Sequence, residues 1–145
     1  MLECEITQDR DIATVLLKKP RFGFLVGTTL QDGLSILERM APKGVLFDAS
    51  QLPRATHGML SALLEAILHL ERARAFRSFA QAIAVCGLQD RALVRAKNIG
   101  LERIVPMFAN VQLALTHERF RSLQLCGVRS VVPVSYTHLT LPTKA

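Results

Sequence analysis

At the start of the chain, Leu2, Cys4 and Ile6 alternate with Glu3, Glu5 and Thr7. A period of two is that of a half-exposed strand. Gln8-Asp9-Arg10-Asp11 is a polar turn, and Ile12–Leu17 reads as a second strand, so the chain opens with a β-hairpin. Lys18–Gly27 contains Pro20, Gly23 and Gly27 and reads as a loop. The period then changes. Leu30, Leu34, Ile36, Leu37 and Met40 share one helical face, and Pro42-Lys43-Gly44 ends that helix. Val45-Leu46-Phe47 is an unbroken apolar run closed by Asp48, the pattern of a strand covered on both faces.

Gln51–Gly58 reads as a loop around Pro53. Beyond it, Met59, Leu60, Leu63, Leu64, Ile67 and Leu68 recur at helical spacing, with Ser61, Glu65, His69 and Arg72 opposite. Phe79–Cys86 reads as another buried strand closed by Gly87. Gln89–Asn98 reads as a short helix, with Gly100 placed for its C-cap. Ile104–Phe108 is a last strand, and Pro106, which cannot donate to a ladder, assigns it to the sheet edge. Asn110 can cap a final helix with Val111, Ala114 and Leu115 inward. Strands alternating with helices predict an α/β domain: a mostly parallel sheet of about five strands and four helices packed on it.

Composition supports one folded domain, since half of the 145 residues are apolar. No apolar run approaches the roughly 18 residues of a membrane span, and the acidic start of the chain lacks a signal-peptide layout. Cys4, Cys86 and Cys126 are odd in number and lack metal-ligand spacing. A reduced, cytoplasmic protein is the expectation. The net charge of +6 comes from scattered Lys and Arg with acids between them, which reads as solvated surface rather than a nucleic-acid face. There is no Gly-x-Ser-x-Gly, Walker loop or Gly-x-Gly-x-x-Gly, so neither catalysis nor a cofactor is expected. Cys86 at a strand end could be a nucleophile, but no His–Asp relay accompanies it and a packed apolar thiol is the simpler reading. His57, His69 and His117 have no metal spacing with a Cys or carboxylate.

Three segments carry a family resemblance: Val45-Leu46-Phe47-Asp48, Ala55-Thr56-His57-Gly58 before the Leu-rich helix, and Ile99-Gly100-Leu101 followed by Ile104–Phe108 and Ala114-Leu115. In order and spacing, Leu2–Phe120 resembles the STAS domain of anti-sigma-factor antagonists. The second segment stands where that family commonly has Asp-Ser-Ser-Gly or Asp-Thr. Ala55 takes the place of the Asp and His57 that of the second Ser; the hydroxyl of Thr56 and Gly58 remain. The resemblance implies a protein-binding regulatory module, with an anti-sigma factor or related kinase-like protein as partner. It makes Thr56 the phosphorylation candidate and Asp48, Arg54, Thr56, His57, Gly58 and Ser61 the contact surface. Two other roles stay open: a cytosolic accessory subunit that contacts a transporter ATPase, and a purely structural domain. From the residues alone, Thr56 is a modifiable hydroxyl or simply an N-cap, and Asp48 either orients Thr56 or caps a turn.

Val134-Ser135-Tyr136-Thr137-His138-Leu139-Thr140-Leu141-Pro142-Thr143 resembles one reading frame through a sequencing-library adapter. The expected organisation is therefore a STAS-like domain over 1–121, an extension over 122–133 and a non-native tail over 134–145.

Overall fold

A computed structural model describes residues 2–19, 28–52, 54–74, 82–126 and 134–135. The hairpin is β1 (Glu3–Asp9) and β2 (Ile12–Lys18), antiparallel over seven residue pairs. Its turn is tighter than expected: Asp9 pairs with Ile12, so only Arg10 and Asp11 connect the strands, and Arg10 turns with φ 60°. Burial alternates through most of the hairpin, with two exceptions: Glu3 is buried beside Leu2 and Cys4, and Ile12 and Ala13 are both buried.

A two-residue strand, β3 (Thr28–Thr29), pairs with β1 and leads directly into α1 (Leu30–Met40). Thr29 caps this helix by accepting from the Asp32 N–H at 3.1 Å. Ala41, in the left-handed conformation, ends it ahead of Pro42. Then follow β4 (Gly44–Asp48), α2 (His57–Arg74), β5 (Ala82–Cys86) and α3 (Asp90–Asn98). The second helix starts two residues before Met59, so His57 and Gly58 are helical rather than loop. Of the expected strand Phe79–Cys86, residues 79–81 lie outside the described residues.

The chain then departs further from the periodic reading. Gly100, at φ 86°, starts a single helical turn, α4 (Leu101–Ile104), which takes in Ile104, the first residue of the expected strand. Only Met107–Phe108 form the edge strand, β6. Pro106 contributes its carbonyl, which accepts from the Val85 N–H at 3.1 Å. Asn110 caps α5 (Val111–Thr116) through the Leu113 N–H at 2.9 Å. A further helix, α6 (Glu118–Cys126), runs past residue 121, where the domain was expected to end. Val134–Ser135, expected to lie outside the fold, form β7 and pair with Thr7 and Gln8 of β1.

The fold is thus α/β with one mixed sheet, order β3-β1-β2-β4-β5-β6, and β7 on β1. Strands β2, β4, β5 and β6 are parallel; the hairpin partner β1 is antiparallel. Successive strand residues serve opposite faces. Val45, Phe47, Ile83 and Val85 join the main core under α1, α2, α3 and α4, whereas Leu46, Ala82 and Ala84 join a smaller core under α5 and α6. The small face is set by close approach. A Cβ on Gly44 would lie 2.9 Å from Leu123 Cδ1 and 3.2 Å from Phe120 Cε1.

Candidate functional site

The site lies where β4 and β5 end, at the same edge of the sheet because the strands are parallel. The chain leaves β4 through a series of tight turns. Asp48 Oδ1 accepts from the Ser50 N–H at 3.0 Å, which closes the first. The Leu52 N–H donates to the Ala49 carbonyl at 3.0 Å, and the Ala55 N–H to the Leu52 carbonyl at 3.3 Å. A neighbouring strand end anchors this loop, since the Ala49 N–H donates to the Cys86 carbonyl at 2.8 Å. Of its two alternatives, Asp48 therefore takes the turn-capping one.

The loop has a buried underside and an exposed top. Ala49, Leu52 and Ala55 are at most 1% exposed and belong to the main core. Arg54, Thr56, His57, Gly58 and Ser61 are all exposed. Ala55 replaces an acid in the family resemblance. A carboxylate at this buried place would carry a large desolvation cost, so the apolar residue fits the packing found here. The Ala55 carbonyl lies ahead of the helix and has no intrahelical donor. Arg95 of α3 supplies one, Nη1 donating at 2.8 Å across a sequence separation of 40.

Thr56 is the N-cap of α2: its Oγ1 accepts from the Met59 N–H at 3.2 Å, and its carbonyl accepts from the Leu60 N–H at 3.0 Å. The hydroxyl sits at the positive end of an 18-residue helix with no acid in its first turn. A phosphoryl group there is electrostatically tolerated. Gly58 follows in the same turn. Its φ is not among the positive values, and an added Cβ would meet only Thr56 Oγ1 at 3.8 Å, an ordinary contact.

Gly87 is different. Its φ is 88°, and a Cβ would lie 2.6 Å from Ser50 N, 2.9 Å from Ser50 Cα and 3.1 Å from Asp48 Oδ1. The turn after β5 is thus pressed against the turn after β4. Cys86, just before it, is buried and its Sγ–H donates weakly to the Phe47 carbonyl at 3.6 Å. Burial and then Asp48 push this thiol up to about 12, the reverse of what a nucleophile needs.

Sequence reasoning thus brought Asp48, Arg54, Thr56, His57, Gly58 and Ser61 to one end of the sheet. It missed Arg95 and the packing role of Gly87. Nothing local to Arg95 announces a carbonyl partner so far away in sequence. Among the described residues, no three His, Cys, Asp or Glu side chains gather as a metal site, and no helix is long and apolar enough to cross a membrane. Comparison with protein-family models, curated proteins and solved structures gives no match.

Proposed function

We propose that this chain is a cytoplasmic protein-binding regulatory module, resembling an anti-sigma-factor antagonist, whose contact surface is the loop Arg54–Thr56 and the first turn of α2. The order β1-β2-β4-β5-β6, with helices between the parallel strands, is in keeping with a STAS-like layout. The observation that carries the reading is Gly58. Its backbone does not require glycine and space for a Cβ is present, yet alanine at such a position would restrict the unfolded chain and stabilise the fold by about 0.4–1 kcal/mol. A residue without a side chain here, beside an exposed hydroxyl, suits close approach of another protein's backbone. Thr56 is the group such a partner would modify, and the added charge would then oppose docking on the same surface.

The test is phosphate-affinity electrophoresis of the chain from its host. Two species are expected, merging after phosphatase treatment and in Thr56→Ala, with a kinase-like protein recovered beside the unmodified form. A single species in every growth condition would remove phosphorylation from the account. Recovery of a transporter ATPase with membrane instead would assign the surface to the accessory-subunit role.

A further inference from the structure

A chamber of about 710 Å³, half-open to solvent, lies between α1 and α2. That volume falls within the roughly 300–1,000 Å³ of small-molecule sites. Its wall is apolar: Leu2, Leu30 and Leu34 on one side, Ala62 and Ala66 on the other. The two alanines, one helical turn apart on α2, open the space; elsewhere that helix sends Leu60, Leu63, Ile67 and Leu70 into the core.

The polar groups stand at the rim. Gln31, Glu65, His69 and Arg72 line it and are exposed. On that rim, His69 is already engaged, because its Nε2 meets Glu38 Oε2 of α1 at 2.5 Å. Arg72 makes no ion pair among the described residues. Glu65 is seven residues away from it, about 10 Å along the helix axis. Among the described residues, the opening therefore offers one cation outside any ion pair, set apart from Glu65, above an apolar chamber.

We propose that this chamber binds an amphiphilic monoanion, a medium-chain alkyl carboxylate, with the alkyl chain between α1 and α2 and the carboxylate on the Arg72 guanidinium. A planar guanidinium receives a carboxylate through two parallel N–H donors. The apolar surface that the alkyl chain and the lining cover in each other leaves water, which supplies the affinity. Neither role uses Thr56 or its loop, so this site stands or falls separately from the proposed contact surface.

The experiment is titration calorimetry of the full chain with decanoate, decanol and decyltrimethylammonium. Decanoate should bind, decanol about tenfold more weakly, and the ammonium compound least. Arg72→Gln should weaken decanoate about tenfold and leave decanol unchanged. Ala62→Phe should abolish uptake of both while keeping the wild-type circular-dichroism spectrum and a cooperative melt. If Ala62→Phe does not fold, Leu34→Phe from the opposite wall gives the same reading. Absence of decanoate binding by wild type, as when the chain's own residues fill the chamber in solution, overturns the proposal. So does decanoate binding that neither Arg72→Gln nor the wall variants alter.

Discussion

Gly87 and Gly58 stand where the chain leaves β5 and where it enters α2, and they are glycines for different reasons. At Gly87 the backbone is left-handed and the backbone of Ser50 occupies the place of a Cβ. At Gly58 the backbone is ordinary and the space is open. One region is the foundation of the site, in which two strand-end turns are locked together. The other is the surface raised upon it. The difference separates residues that folding demands from a residue that folding would replace.

The comparison is broken most severely at Gly87. Gly87→Ala should cost about 3 kcal/mol, from left-handed strain and the backbone clash with Ser50. A chemical-denaturation midpoint close to wild type would show that the two turns can separate freely. Arg95→Met keeps the apolar stem and removes the donor to the Ala55 carbonyl. It should cost about 1 kcal/mol and raise hydrogen exchange at the Ala55 and Met59 amides. Exchange unchanged at both would remove Arg95 from the support of the loop. Gly58→Ala should act in the opposite direction, stabilising the chain by about 0.5 kcal/mol while weakening partner capture. A variant that is more stable and binds as well as wild type would leave Gly58 without a functional reason.

A further prediction concerns the buried thiols. Burial holds Cys4 at about 11 and Cys86 at about 12, above an ordinary value of 9.0. Near pH 7 both are neutral, folded or unfolded. As pH rises beyond 9, the unfolded chain ionises while the folded one keeps its protons, so stability is lost between pH 9 and 12. Melting temperature should fall less steeply over that range in Cys4→Ala/Cys86→Ala, and an unchanged slope would contradict the burial of these groups.

The elements with strong periodicity were legible in the sequence: the hairpin from its alternation, β4 from three consecutive apolar residues, and α2 from its leucines. The segment after Gly100 was not. Leu101–Ile104 is too short for a helical period to register. Phe120, 1% exposed, belongs to a nine-residue helix whose partners are Ile12 and Gly44, far away in sequence. The candidate site divides in the same way. Thr56 and Gly58 were visible because a cap and a glycine before an apolar helix are local signals. Arg95 was not, because its function is a single bond to a carbonyl that tertiary structure brings to it. Ala55 carried no local signal of its place, and its complete burial explains why an acid would fit poorly there.

The central claim is that the start of α2 is a charge-sensitive contact surface, and Thr56 tests it most directly. Thr56→Ala loses a cap worth about 1 kcal/mol and leaves the surface neutral. Thr56→Glu places a carboxylate at the helix N-terminus, where the dipole favours it, so stability should change by less than about 1 kcal/mol. Partner recovery from the native host, measured beside a melt of each variant, should follow charge rather than stability: retained in Thr56→Ala and lost in Thr56→Glu. Equal recovery by wild type and Thr56→Glu would contradict the account and reduce Thr56 to an N-cap.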